Sequence, residues 1–193
     1  MIQAVLLAAG RGVRFGGDAP KQLSLLGGQS LVARAVAAAG AVGPPLVVVS
    51  DDRVAATLTD VDVVRNDEPE RGIASSLQVA LRALEGRTEV DAVVVGLADT
   101  PLVGGEAYRR LAVVAAPLAF ATYAGQRGNP VRIGRAYWDE ALALKGDEGA
   151  RVLFRRHDAV AVPCDDTGDP TDVDTPADLA DLETRWRSTT ASE

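Results

Sequence analysis

The chain has 193 residues, 47% of them hydrophobic, with a formal charge of −7 and one cysteine; that is room for one domain with a sizeable core. The acidic balance excludes a general nucleic-acid binder, which needs Lys and Arg against phosphates. Lone Cys164 excludes an internal disulfide framework and fits a reducing cytosol. No apolar run approaches the ~20 residues of a membrane span, and the start of the chain lacks the positive region and cleavage site of a signal peptide. The expectation is a cytoplasmic single domain over residues 1–187, without nucleic-acid or membrane partners, followed by a flexible polar tail at 188–193.

In chain order, valine-rich apolar runs at residues 2–9, 45–50, 61–65, 92–97, 118–123, 129–133 and 159–163 read as strands. Continuous rather than alternating hydrophobicity in LVVV and AVVV indicates burial on both faces, as in a parallel sheet. Between them lie helical patterns at 30–39, 73–84, 106–115, 137–144, 149–156 and 176–187. Ser30 and Thr175 are the expected caps, and Pro176 suits a first helical turn. Alternation from end to end predicts an α/β fold with a mostly parallel central sheet. A short antiparallel portion is expected where 118–123 pairs with 129–133 across the turn 124–128. His157, inside Arg155-Arg156-His157-Asp158, is the only histidine, which argues against zinc clusters and Ser/His/Asp triads and reads as a surface residue at a helix end.

The first apolar run breaks into Gly10-Arg11-Gly12, followed by Arg14, Gly16, Gly17 and Lys21. Glycines let backbone N–H groups approach an anion, and Arg11, Arg14 and Lys21 supply counter-charge, so a nucleotide phosphate is the expected ligand. Two familiar phosphate loops do not fit. Lys21 follows Pro20 and precedes Gln22, so the Walker pattern is absent. The run Gly10 to Gly16 is one residue too long for a dinucleotide fingerprint, and Asp51 stands at about twice the ~20-residue spacing that motif needs. This counts against a nicotinamide oxidoreductase, and Asp51 and Asp52 read instead as the N-cap region of the next helix.

In open α/β sheets, ligands bind outside the carboxyl ends of strands. Asp99 ends the 92–97 run and is held by Pro101, a costly place for an unpaired charge. It reads either as a Mg²⁺ ligand or as a turn aspartate. Asp174-Thr175-Pro176 repeats the chemistry of Asp99-Thr100-Pro101, and alternation in an extended segment lets Asp172 and Asp174 face one site. Asp178 reads as a capping residue. Gly72, Ser75 and Ser76 open a helix and offer groups that read a base edge or a ribose, or serve as ordinary caps. The loops 125–131 and 146–151 are polar and glycine-rich.

Together these stretches carry a resemblance. LAAGRGVRFGG…PKQL, Asn66…RGIASSL, LADTPLV, GQRGNPV, GDEGAR and DVDTPADL occur in the order seen in the MobA-like nucleotidyltransferases, over nearly the whole chain. GDEGAR and the PV segment most resemble the branch that transfers CMP to the molybdopterin cofactor. The resemblance implies a Rossmann-like three-layer domain, Mg²⁺ as cofactor, an NTP and a phosphorylated acceptor such as molybdopterin as partners, a molybdenum enzyme as client, and release of pyrophosphate. It implies that Lys21 and Arg14 hold NTP phosphates, that Gly10 and Gly12 shape the phosphate loop, that Ala8 and Ala9 border the base, and that Ser76 near Gly72 contacts the nucleotide. Asp99 and Asp174 become the metal pair, and Asn129 and Asp147 lie toward the acceptor. The cytidylyl branch often has Gln at the position of Thr100 and His at that of Asn129, which leaves the acceptor open. Ala9, where guanylyl relatives often carry Gly, leans to CTP over GTP. A guanylyltransferase acting on molybdopterin or on another small phosphorylated acceptor, and a non-catalytic accessory protein for a molybdenum enzyme, are the alternatives.

Overall fold

The structure, a computed structural model, describes residues 1–190. Its elements in order are β1 (Ile2–Ala8), β2 (Leu25–Leu26), β3 (Gln29–Ser30), α1 (Leu31–Ala39), β4 (Leu46–Val49), α2 (Asp52–Ala55), β5 (Asp62–Arg65), α3 (Ile73–Leu84), β6 (Ala92–Leu97), β7 (Leu102–Val103), α4 (Gly105–Val113), β8 (Leu118–Tyr123), β9 (Gln126–Gly134), α5 (Trp138–Leu142), α6 (Leu153–Arg156), β10 (Val160–Pro163), β11 (Gly168–Asp169) and α7 (Pro176–Thr190). Seven strands form one sheet in the order β10-β8-β9-β6-β1-β4-β5. Only β9 runs against its neighbours β6 and β8; the other pairings are parallel. The fold is therefore the expected Rossmann-like α/β domain.

Residue alternation on β1 sorts the core into two layers. Val5, Leu7 and Ala9 pack with Leu77, Leu81 and Leu84 of α3 and with Trp138 and Leu153. Ala4 faces Ala107 and Leu111 of α4, while Leu6 and Ala8 face Val32 and Ala35 of α1. Helices thus cover both faces, which is why the central strands are apolar throughout. A fourth cluster, Leu26, Leu31, Val173 and Leu182, anchors α7 and the β2–β3 hairpin.

Boundaries differ from expectation in informative places. β9 begins at Gln126, so the reverse turn tightens to Ala124 and Gly125, both at positive φ (49° and 75°). The β8–β9 ladder skips Asn129 and Pro130 between Phe120↔Val131 and Ala121↔Gly128, a bulge that re-aims the strand. The expected helix at 149–156 divides into a 3-10 turn, Ala150–Val152, and α6. Asp51 caps α2 by accepting from the Arg53 N–H at 2.8 Å. α7 continues past residue 187 to Thr190, with Arg187 paired to Glu183 and the Ser188 hydroxyl donating to the Thr184 carbonyl. Residues 191–193 of the expected flexible tail lie outside the described residues. Among those residues, no helix is long and apolar enough to cross a membrane.

Candidate active site

The chain visits β1, β4 and β5 on one side of the sheet and returns to β6 on the other side of β1, so the switch point lies between β1 and β6. The loops leaving these two strands carry the glycine-rich basic segment and Asp99. A cleft of about 460 Å³ opens there, lined by Ala9, Gly10, Arg11, Gly12, Arg14 and Lys21 on one side and by Asp99 and Asp174 on the other.

Backbone geometry explains how these groups meet. The Gln22 amide donates to the carbonyls of Ala8 (3.0 Å) and Gly10 (2.6 Å), pinning the loop as it leaves β1. Gly12 turns at φ +59°, and a Cβ there would stand 3.1 Å from Lys21 Cβ, so the glycine permits both the turn and the return of Lys21. The Val173 N–H donates to the Asp99 carbonyl at 2.8 Å, which brings the segment before α7 alongside the end of β6. Asp178 Oδ2 accepts from the N–H groups of Asp174 (3.0 Å) and Thr175 (2.7 Å), and Thr175 Oγ1 accepts from the Asp178 N–H at 3.2 Å. This reciprocal cap fixes Asp174 at the helix entrance; it also holds the Asp178 carboxyl below its ordinary range, the Thr175 contacts being the main cause.

Lys21 stands between the two acids. It is only 7% exposed, and its Nζ lies 3.5 Å from Asp99 Oδ2 and 3.4 Å from Asp174 Oδ1. Arg14 adds a 2.6 Å contact to Asp174 Oδ2. The other Asp99 oxygen, Oδ1, is buried without a hydrogen-bond partner. Burial pushes the Asp99 carboxyl above its ordinary pKa; Lys21 opposes that rise and Asp174 reinforces it. A buried orphan carboxylate oxygen is expensive unless something with positive charge completes it. The described residues form no cluster of three or more His, Cys, Asp or Glu able to hold a metal. Two carboxylates with room for phosphate oxygens nonetheless match what Mg²⁺ asks of a protein, so the donor set fits a hard divalent cation.

A second cavity, about 340 Å³, adjoins the first and shares Leu7, Ile73, Leu97 and Asp147 with it. Asn129 lines it, and Phe154, Val131 and Ile133 give it an apolar wall. Asp147 does more than line it: its Oδ1 accepts from the Ile73 N–H at 3.3 Å, and the Gly146 carbonyl accepts from the Ala74 N–H at 3.0 Å. The 146–149 loop therefore closes over the free end of α3. Gly72, at φ +84°, lets it come that close.

Of the residues singled out from sequence, Ala9, Gly10, Arg11, Gly12, Arg14, Lys21, Gly72, Ser76, Asp99, Asp147 and Asp174 all border the first cleft, and Asn129 the second. Ala8 does not: its side chain points to the α1 face of the sheet, and only its carbonyl takes part, through Gln22. Ser75 is occupied structurally, its hydroxyl donating to the Gly72 and Glu68 carbonyls. Asp172 is exposed and does not border the cleft. Sequence reading assigned no role to Gln22 or Asn66. Buried Asn66 donates to the hydroxyls of Ser75 (2.8 Å) and Ser76 (3.0 Å) and so ties the end of β5 to α3. Both lie within the PKQL and Asn66…RGIASSL stretches that the sequence singles out.

Most of this site lies in one recognisable sequence unit: residues 4–160 match the MobA-like NTP transferase domain, and Asp174 with the segment that caps it follows that unit. The chain belongs to that family. That family is one of NTP transferases. It is 35% identical over 167 residues to the bifunctional protein GlmU of Paenarthrobacter aurescens (strain TC1), covering 79% of this chain and 31% of that protein. The chain spans about a third of the length of the GlmU relatives it matches. It is 34% identical over 160 residues to the 2-C-methyl-D-erythritol 4-phosphate cytidylyltransferase of Cereibacter sphaeroides, covering 79% of this chain and 68% of that one. Among solved structures, Rv0371c from Mycobacterium tuberculosis H37Rv superimposes with a TM-score of 0.83 at 32% identity, over 95% of this chain and 97% of that one. Rv0371c has also been solved in complex with manganese, a structure similar to this chain at TM-score 0.77 and 29% identity, over 95% and 98% of the two chains.

Proposed function

We propose that the chain transfers a nucleotidyl group, CMP from CTP, to the phosphate of molybdopterin and releases pyrophosphate. The observation that carries the reading is the Lys21 ammonium set between Asp99 and Asp174 at the mouth of the glycine loop. An acceptor phosphate oxygen attacks the α-phosphorus, the bond from that phosphorus to the β-phosphate bridging oxygen breaks, and both electrons leave with pyrophosphate. Two anions must meet, so positioning and charge neutralisation dominate, and no covalent intermediate is needed. In this reading Gly10 and Gly12 present the loop to the triphosphate. Arg11, Arg14 and Lys21 offset its charge, and Lys21 the charge that develops on the leaving group. Ala9 borders the base, and Gly72 and Ser76 contact the nucleoside. Asn129 and Asp147 face the acceptor in the second cavity.

Asp99 and Asp174 would hold a divalent cation together with phosphate oxygens, and that ion supplies Lewis-acid neutralisation of the phosphates. The manganese complex of Rv0371c supports a divalent ion in this fold, with Mg²⁺ the choice here. The cytidylyltransferase relative supports CTP and also favours a second reading, in which the acceptor is a small polyol phosphate.

A pyrophosphate-release panel, each NTP against molybdopterin, a sugar 1-phosphate and a polyol phosphate with Mg²⁺, tests these readings. Release with CTP and molybdopterin alone is the expected result. GTP dependence moves the assignment to guanylyl transfer, and turnover with a polyol phosphate moves the acceptor. Silence across the panel leaves the accessory role for a molybdenum enzyme. The reducing cytosol remains the proposed compartment.

A further inference from the structure

The second cavity holds one cation that meets no acceptor or carboxylate among the described residues. Two arginines border it, Arg127 and Arg151. Arg151 donates to the Asp147 carbonyl at 3.1 Å and so helps close its own loop. Among the described residues the Arg127 guanidinium has no hydrogen-bond or ion-pair partner; it lies 4.2 Å over the ring of Phe120 and 5.4 Å from that of Phe154. The two rings lie 5.5 Å apart, so together they form a shelf for the guanidinium. Stacking engages one face of a guanidinium and leaves its edge N–H donors directed outward. Contact with the two rings restricts the fork before any ligand arrives, and a guanidinium fork matches a phosphate bidentately.

Topology puts the fork at the chemically useful end. β9 runs antiparallel to β6, pairing through Val131↔Val95, so residues 126–129 lie toward the end of the sheet where Leu97 and Asp99 emerge. The bulge at Asn129 and Pro130 lies between this pairing and Arg127. Charge makes the same point. In the first cleft Lys21 and Arg14 already face carboxylates. An anionic acceptor in the second cavity faces the Asp147 and Glu148 carboxylates on one wall and meets no other unengaged cation among the described residues that line it.

We propose that Arg127 is the acceptor-recognition residue: it binds the phosphate ester group of the acceptor, whose ring or carbon skeleton lies against Phe154. This rests on the nucleotidyltransferase reading and narrows it, because it requires an acceptor that enters as a phosphate monoester with an apolar or planar body. The rival role for Arg127 is to shield two phenylalanines from water with its aliphatic stem.

Phenyl phosphate and phenol are the probes, titrated calorimetrically into the protein saturated with magnesium tripolyphosphate, which fills the phosphate loop whatever base the enzyme prefers. Wild type is expected to hold phenyl phosphate more tightly than phenol. Arg127→Gln and Arg127→Met are expected to lose roughly 10- to 100-fold in phenyl phosphate affinity, with tripolyphosphate affinity unchanged. Arg127→Lys, which keeps the charge without the flat fork, falls between. Wild-type affinity in Arg127→Met, which still covers the rings, overturns the proposal, as does equal binding of phenol and phenyl phosphate by wild type. Failure of the transferase reading shows elsewhere, as absent tripolyphosphate binding or an empty pyrophosphate panel, and leaves the comparison of the two probes readable.

Discussion

The two adjoining cavities are built on opposite physical terms. In the first, Arg14 and Lys21 are paired with Asp99 and Asp174, and hydrogen bonds to the backbone fix the segments that carry them: Gln22 to Ala8 and Gly10, Val173 to Asp99, Asp178 to Asp174. In the second, one wall is aliphatic and aromatic, Asp147, Glu148 and Arg151 lie on the other, and the Arg127 guanidinium is held by ring contact. Electrostatic stabilisation of a transferring phosphoryl group demands donors that do not reorganise during reaction. An apolar pocket tolerates repacking and tracks the shape of what it binds. On the proposed reading, nucleotidyl transfer belongs to the first cavity and acceptor recognition to the second, and five substitutions press on that contrast.

The largest effect is expected at Asp99. Asp99→Ala should lower nucleotidyl transfer on the order of 10²- to 10³-fold, the cost of one preorganised contact, while the thermal midpoint stays close to wild type. The sign follows from its shifted carboxyl. A group whose folded pKa lies above its unfolded value favours the fold most when protonated and loses that contribution as pH rises through the folded value. At neutral pH the Asp99 charge is thus no net support to the fold, and deleting it costs none on that account. Pyrophosphate release and a melting curve on the same preparation check both halves. Near-normal turnover would remove the chemistry from the first cavity and erase the contrast.

Gly72 lies where the cavities join. Its φ of +84° is unfavourable for any side chain, and an added Cβ would lie 2.5 Å from Asp147 Oδ1 and 2.6 Å from the Gly146 carbonyl oxygen. Gly72→Ala should therefore cost about 1–3 kcal/mol in denaturant unfolding and weaken nucleotide and acceptor together, since Asp147 borders both cavities. Gly17→Ala provides the control. Its φ is also positive, at +79°, but nothing lies within 4 Å of the added atom, so only the backbone term of about 1–2 kcal/mol applies. Equal losses in the two variants would mean that the 146–149 loop yields freely and does not couple the cavities.

The first cavity was far more legible in the sequence than the second, for a physical reason. Glycine-rich turns, strand-end aspartates and Thr-Pro helix entries are local signals, each decided within a few residues, and Gly10, Gly12, Lys21, Asp99 and Asp174 all carry them. The long apolar runs likewise marked the seven sheet strands. Asymmetry between neighbours on one strand was harder to read. Ala8 and Ala9 differ only in which face of β1 they take, and that is set by what packs against the sheet. The short β2–β3 and β7–β11 pairs escaped notice because two residues carry no periodicity. Arg127 sits in a motif that was visible, but its meaning depends on Phe120 and Phe154, which come from β8 and α6 and meet only after folding.

A smaller effect is expected at the entrance of α7. Thr175→Ala removes the hydroxyl that accepts from the Asp178 N–H, a cap worth about 1 kcal/mol. Asp178 still holds the Asp174 N–H, so the Asp174 carboxylate keeps part of its support. The expected phenotype is a modest loss in unfolding free energy and a raised metal requirement, read as the Mg²⁺ concentration for half-maximal pyrophosphate release, with acceptor KM unchanged. A shift in acceptor KM instead would show that the capped segment reaches the second cavity.

The smallest effect belongs behind the second cavity, where Glu140 of α5 meets the two basic residues at the end of α6. His157 Nε2 lies 2.6 Å from Glu140 Oε2, Arg156 donates to Oε1 at 3.0 Å, and the imidazole packs edge-on against Tyr137 at 4.9 Å. The histidine read from sequence as a surface residue at a helix end is half-buried and paired. The His157 contact, followed by that of Arg156, holds the Glu140 carboxyl below the 4.5 of an unperturbed glutamate. A lowered folded pKa contributes stability above the unfolded value and loses it as pH falls through the folded one, so the pair should matter most around neutrality and fade on the acid side of pH 4.5. Glu140→Gln should therefore lower the melting temperature slightly at pH 7 and make its acid limb shallower. Because α6 also carries Phe154, the shelf under Arg127, acidification of wild type should loosen phenyl phosphate binding before tripolyphosphate binding. Parallel loss of both probes would mean that the two cavities melt as one unit, and that their difference in construction does not extend to their stability.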